Sequence, residues 1–267
     1  MTMKKFLLIS LTSLGLTLSA SAQKSIGIVA HRGYWNCEEA GYAKNSIAAL
    51  RCAQEAGFWG SEFDVNMTSD GVLLVYHDSD IDGKRFDSNP YEVFKDKIIQ
   101  NGEKIPTLDE FFEQGKKYPE TMLVFELKPL KNKELEKEFV ERSIEKIKEH
   151  GLDSPDRIMF ISFSYYICKK IAKKMPGYTV QYLKGDKSPN KLHLKGISGI
   201  DYHYKLLKLF PKWYKQARKH NMSINTWTVN KEKDIRTMVE TDIDQITTDY
   251  PIETREILKE LEITELR

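Results

Sequence analysis

Apolar positions along the chain fall into short alternating runs and longer stretches with a helical period, and the two kinds take turns. The first run, Ser25 to Ala30, reads as a strand ending in His31-Arg32-Gly33. Asn45 is placed to cap the helix SIAALRCAQEAG, which Gly57 closes. Ser61 to Met67 then alternates, Thr68-Ser69-Asp70-Gly71 forms a turn, and Val72 to Tyr76 makes a second apolar strand. So short a connection forces these strands antiparallel, and a tight turn centred on Ser69-Asp70 predicts Glu62 roughly opposite His77. Ser79 to Lys104 has no sustained period and reads as an irregular insertion. Thr107 caps the next helix, LDEFFEQGKKY, and the strand TMLVFELK ends in Glu126 and Lys128.

The alternation continues through a charged helix with Leu135, Phe139, Ile144 and Ile147 on one face, the strand RIMFISF, a helix over Tyr165 to Lys174 and the strand TVQYL. A short helix near Pro189 to Leu194, the strand GISGID, the helix PKWYKQARKH and the strand SINTWTV follow; KEKDIRTMVE, DQITTD and IETREILKELE complete the series. With the second hairpin arm taken as an excursion, eight strand-helix units remain. That count predicts an α/β fold, a (β/α)8 TIM barrel with a hairpin excursion and a small insertion after the second strand. The alternative is a doubly wound open sheet, but no glycine-rich phosphate loop follows the first strand.

Residues 1–22 stand apart. Lys4 and Lys5 precede an apolar run, Phe6 to Leu18, that ends in Ala20-Ser21-Ala22 before Gln23, the pattern of a secretory signal peptide. The run is broken by Ser, Thr and Gly and is shorter than the roughly 20 residues that span a bilayer, so a stable membrane anchor is not expected. The chain is then expected to be secreted across the inner membrane into the periplasm, with residues 23–267 as one barrel domain. Removing the segment takes the 41 Lys and Arg to 39, matching the 39 Asp and Glu. A nucleic-acid partner usually brings a basic excess, so that class is set aside. The three cysteines, Cys37, Cys52 and Cys168, cannot all pair within the chain; a Cys37–Cys52 bridge is conceivable, but Cys52 reads as a buried helix residue.

Candidate chemistry gathers where strands end. Glu62 and Asp64 are two apart and so leave one face of their strand; with Glu126 from the next strand they make three carboxylates that suit a hard divalent cation, Mg2+ or Ca2+. His31 and His77 lie near them as candidate base and acid, and Arg32 and Lys128 add positive charge for an anionic substrate. Trp227, at another strand end, is read as a wall facing substrate, while His150, His193, His203 and His220 are read as surface residues. Metal, two histidines and two cations fit phosphodiester cleavage.

His31-Arg32-Gly33, Asn45-Ser46, Glu62-x-Asp64, Thr68-x-Asp70-Gly71 and His77-Asp78 run in order along the chain. Ile105-Pro106-Thr107-Leu108, Glu126-x-Lys128, Trp227-Thr228-Val229-Asn230 and Thr248-Asp249-x-Pro251 follow them. Together they resemble the glycerophosphodiester phosphodiesterase family. The resemblance implies a barrel, one divalent metal on Glu62, Asp64 and Glu126, and a histidine pair, His31 and His77. Where that family usually has Pro-Glu-Asn-Thr, this chain has Ala43-Lys44-Asn45-Ser46, with Tyr34-Trp35 where substrate would enter. The expected activity is hydrolysis of small glycerophosphodiesters to sn-glycerol 3-phosphate and an alcohol. The competing readings are a related barrel enzyme cleaving intact phospholipid through a cyclic phosphate and an inactive envelope binding protein. Neither the preferred alcohol nor the oligomeric state is legible.

Overall fold

A computed structural model describes residues 24–267, so the expected signal segment lies outside the described residues. Eight parallel strands form the frame: β1 (Ser25–Ala30), β2 (Gly60–Met67), β3 (Met122–Leu127), β4 (Ile158–Ser162), β5 (Val180–Tyr182), β6 (Gly199–His203), β7 (Ser223–Trp227) and β8 (Gln245–Thr248). Their ladder runs from β7 back through β6, β5, β4, β3, β2 and β1 to β8. The seam between β7 and β8 is bridged by Asp244 N to Ile224 O at 2.8 Å, Val229 N to Thr247 O at 3.0 Å, and the Asn225 amide on Thr247 Oγ1 at 3.0 Å. The result is the nearly closed barrel that the strand-helix count predicted.

The helices are α1 (Ile47–Glu55), α2 (Leu108–Gly115), α3 (Lys133–Glu149), α4 (Tyr165–Lys174), α5 (Pro189–His193), α6 (Tyr204–Leu209), α7 (Lys212–Lys219), α8 (Glu232–Val239) and α9 (Pro251–Glu260). Strand alternation sorts side chains to two faces. Ile26, Ile28, Phe63, Val65, Phe125 and Leu127 point outward to the main core beneath the helices. Val29, Val124, Met159, Ile161 and Leu183 fill the barrel interior. The inward positions of the last strands are polar instead: Gln181, Asp201, Asn225 and Thr247, all buried.

Local chemistry explains where elements begin. Thr107 caps α2 in a full capping box with Glu110. The cap of α1 is Ser46, whose hydroxyl accepts from Ala49 N at 2.9 Å, and not Asn45 as the sequence suggested. Asn45 takes φ +57°, a conformation asparagine tolerates, and its amide is drawn inward to a buried carboxylate. The hairpin arm Leu73–Val75 does pair antiparallel with β2, but its register places Val65 opposite Val75, so Asp64 faces Tyr76 rather than Glu62 facing His77. The shift arises because Thr68 pairs with Val72 around Ser69, Asp70 and Gly71, with Gly71 at φ +86°, centring the turn on Asp70. The insertion carries a small core of its own, Leu74, Phe86, Phe94 and Ile105, tied down by buried Asp87 between Arg85 and the Lys131 backbone. Among the elements without a forecast are α6, a small antiparallel pair inside the insertion, Asp80–Ile81 with Lys84–Arg85, and a last strand, Thr264–Leu266, that runs parallel to Ser25–Gly27.

Candidate active site

The carboxyl ends of the strands open onto one cleft of about 100 Å³. It gathers His31, Arg32, Glu62, Asp64, His77, Glu126, Lys128 and Trp227, which are all the residues that sequence reasoning singled out for chemistry. Glu62 and Asp64 point inward because Phe63 and Val65 are held outward, with Phe63 stacked on Phe125 at 5.0 Å and tilted against Phe111 at 4.5 Å. Register then sets Asp64 directly beside Glu126. One oxygen from each of Glu62, Asp64 and Glu126 lies within 4.8 Å of the others, and all three residues are buried.

Three buried carboxylates this close repel one another. Burial first, then the charges of Asp64 and Glu126, pushes the Glu62 carboxyl well above the usual carboxylate range. Burial lifts Glu126 to about 7, against the opposing pull of Lys128. Asp64 goes the other way: burial works against its charge, but Lys128, Arg32 and His77 hold it at about 2. Lys128 Nζ stands 3.0 Å from Asp64 Oδ1 and 2.9 Å from Glu126 Oε1, and those two carboxylates raise its pKa despite burial. Arg32 Nε lies 3.4 Å from Asp64 Oδ2, and the Arg32 backbone N–H donates to Glu62 Oε2 at 2.8 Å. Two cations against three acids leave an excess of negative charge in a dry setting, which suits a divalent cation held by oxygen ligands.

The histidines are fixed differently. His31 Nδ1 is 2.8 Å from Asp249 Oδ1. Trp35 Nε1 donates to the same oxygen at 3.0 Å, and the Asn230 amide donates to Oδ2 at 2.6 Å. Burial opposes the Asp249 charge, yet His31, Trp35 and Asn230 lower its pKa to about 2. An ionised carboxylate can only accept, so Nδ1 of His31 is the donor and the neutral ring keeps its lone pair on Nε2. His77 Nδ1 meets Asp78 Oδ1 at 2.7 Å, and the Asn66 amide grips the carbonyls of Tyr76 and Asp78 on either side of it. Burial lowers the His77 pKa, Lys128 and Arg32 lower it further, and Asp64 and Asp78 oppose them.

Trp227 stands edge-on to Phe163 at 5.4 Å and donates its indole N–H to the Asp201 carbonyl at 2.9 Å. Sequence reasoning gave no role to Asp201, although it ends the expected strand GISGID; in the structure it lies mid-β6, its Oδ1 is buried without a hydrogen-bond partner, and burial, then Glu126, raises its pKa well above normal. It quoted Asn230 within a family motif without giving it a role, and took Trp35 for an entrance residue only. Of the histidines read as surface residues, His203 is instead the last residue of β6, caps α6 and packs edge-on against Trp227 at 5.2 Å. His150 is only 12 % exposed, bonded to Asp109 and Glu113. His193 and His220 stack at 4.0 Å away from the cleft. Cys37, Cys52 and Cys168 are free thiols.

Residues 31–253 match the model of the glycerophosphoryl diester phosphodiesterase family. The chain is 30% identical over 244 residues to a glycerophosphodiester phosphodiesterase of Caldanaerobacter subterraneus, covering 84% of this chain and 94% of that one. A solved glycerophosphodiester phosphodiesterase of Parabacteroides distasonis is 40% identical, with a TM-score of 0.86, covering 91% of this chain and all of that one. The fold is also shared with an Oleispira antarctica phosphodiesterase solved in complex with the product sn-glycerol-3-phosphate, at 22% identity, a TM-score of 0.72, and coverage of 87% and 96%.

Proposed function

Because the chain belongs to the glycerophosphoryl diester phosphodiesterase family, we propose that it hydrolyses glycerophosphodiesters to sn-glycerol 3-phosphate and an alcohol. The observation that carries this reading is the buried triad Glu62, Asp64 and Glu126 with His31 and His77 on the same cleft. The product bound to the Oleispira antarctica phosphodiesterase supports the same cleavage. The signal-like sequence of residues 1–22 supports secretion to the periplasm, and no helix among the described residues is long and apolar enough to cross a membrane.

Glu62, Asp64 and Glu126 would hold one divalent cation, Mg2+ or Ca2+. Bound there, it would offset the charge that develops on the phosphoryl oxygens. Arg32 and Lys128 bring positive charge to the same anion, and Trp227 walls the cleft. His31, held by a carboxylate that stays charged, suits the role of base or nucleophile, since Asp249 stabilises the imidazolium that forms. His77, which lines the same cleft and whose protonated form is favoured by Asp78 Oδ1 at 2.7 Å from Nδ1, suits the acid that protonates the leaving oxygen.

The test is steady-state kinetics of His31→Ala and His77→Ala on glycerophosphoglycerol and on a diester with a p-nitrophenol leaving group. Each variant should lose roughly 10²-fold or more in kcat on the natural type of substrate. The His77 variant should recover most of its loss on p-nitrophenol, which needs little protonation. Equal impairment of both variants on both substrates contradicts separate roles.

A further inference from the structure

Beyond Phe163, the catalytic cleft adjoins a second, larger groove of about 760 Å³. It lies at the same end of the barrel, in the segments that follow β3, β4 and β5, and Phe163 lines both spaces. The catalytic cleft itself, at about 100 Å³, is small beside the roughly 300–1,000 Å³ of pockets that enclose a whole organic ligand. Part of any diester bound at His31 and His77 must therefore extend outside it.

The groove is basic. Lys131, Lys133, Lys169, Lys184 and Lys187 line it, against two acids, Glu136 and Asp186. Both acids are engaged: Glu136 accepts from Ser164 Oγ at 2.9 Å, and Asp186 accepts from the Tyr182 hydroxyl at 2.8 Å and pairs with Lys187 at 3.3 Å. Lys131 is also committed, to the Asp87 carbonyl at 2.8 Å. Lys133, Lys169 and Lys184 stand within ion-pair distance of no carboxylate among the described residues, although Lys133 and Lys184 act from farther off on Glu136 and Asp186. Lys169 and Lys187 approach the Tyr165 ring at 4.9 and 4.8 Å from its centroid, which holds two ammonium groups beside one groove wall. Five lysines against two acids leave an excess of positive charge on a wall beside the cleft, which an anion would complement.

We propose that this groove is a leaving-group subsite for an alcohol that carries a second phosphate, so that the preferred substrates are glycerophosphodiesters with a further anionic group beyond the scissile bond. The inference rests on the proposed function, because the cleft beyond Phe163 must be the place where the diester is cut. Lys133, Lys169 and Lys184 act on substrate binding and leave the bond-breaking groups untouched.

The test compares kcat/KM on three diesters: glycerophosphocholine, glycerophosphoglycerol, and bis(glycerophospho)glycerol, whose leaving alcohol bears a second phosphate. The wild-type enzyme should favour bis(glycerophospho)glycerol at low ionic strength and lose much of that preference in added salt. Lys169→Ala/Lys184→Ala should lower the ratio of its kcat/KM to that of glycerophosphocholine by roughly fivefold, as expected for a few partly exposed charge contacts, with the change in KM. Activity on glycerophosphocholine should stay within about twofold, which also checks that the variant is folded. Lys259→Glu, on the remote α9, controls for net charge and should leave the ratio alone. Turnover with an unmoved ratio overturns the inference only; no turnover of any of the three overturns the proposed function and this inference with it.

Discussion

Asp249→Asn isolates the partner of His31 with almost no change in shape. The carboxylate receives three donors, His31 Nδ1 and Trp35 Nε1 on Oδ1 and the Asn230 amide on Oδ2. The amide introduced at position 249 has one oxygen and one NH2 group. If the oxygen keeps the His31 side, the NH2 faces the Asn230 NH2 across a 2.6 Å contact, two donors with no acceptor. If it turns over, the NH2 faces His31 Nδ1 and forces the proton to Nε2, so the ring can no longer accept a proton from the cleft. A hydrogen bond to a charged partner contributes about 1.5–3 kcal/mol, and 1.4 kcal/mol is tenfold, so kcat should fall by roughly 10- to 100-fold and further if the tautomer flips.

Stability carries a second reading of the same variant. The pKa of Asp249 drops from 3.8 to about 2, close to two units at 1.36 kcal/mol each, or about 2.5 kcal/mol as an upper figure for a partly exposed group. Because the folded pKa is the lower one, this stabilisation is complete above the unfolded value near 4 and disappears as pH falls toward 2. Urea unfolding of wild type and variant should therefore differ at pH 7 and converge near pH 2. A variant that keeps more than half of wild-type kcat, with an unchanged pH profile, would refute the argument.

Chelation followed by desalting should abolish turnover, and Mg2+ or Ca2+ should restore it; full activity in metal-free enzyme would sink the assignment to Glu62, Asp64 and Glu126. Lys44 is exposed, with its ammonium 4.3 Å from the Trp35 ring centroid, so Lys44→Glu should raise the ratio of glycerophosphocholine to glycerophosphoglycerol activity by only about two- to fivefold; an unchanged ratio makes Lys44 a bystander. Thr107→Ala removes the hydroxyl that caps α2 and should lower unfolding free energy by about 1 kcal/mol without altering kcat, measured by urea melts beside the activity assay.

What the sequence revealed and what it hid divide along a physical line. Elements whose cause is local were legible: the Thr107 capping box, the alternation that turns Glu62 and Asp64 to one face, and the strand-helix rhythm that builds the barrel. Errors arose where a distant partner outbid a local preference. Asn45 looks like a helix cap, but the buried Asp64 takes both ends of its amide, leaving the cap to Ser46. The hairpin register slipped by one because Thr68 and Val72 pair on either side of a three-residue turn centred on Asp70, where the sequence placed the centre between Ser69 and Asp70. Thr264–Leu266 is too short to show a period and is a strand only because β1 has a free edge there. Asp249 was visible as a strand-end acid, but its hold on His31 depends on a residue 218 positions away.

That separation has a kinetic consequence. Ala30 lies beside Thr248 in the β1–β8 ladder, and the His31 backbone N–H donates to Thr248 O at 3.0 Å, so the His31–Asp249 pair exists only once the first and last strands have met. Contacts this remote in sequence form late, since nearly the whole chain must be ordered to join them. Turnover regained during refolding should then trail, and never lead, the slowest spectroscopic phase. The meeting of Lys24 with Thr264 at 3.0 Å brings the two ends of the described chain together, so a circular permutant joined there would make the same pair a near neighbour along the chain and separate barrel closure from recovery of activity.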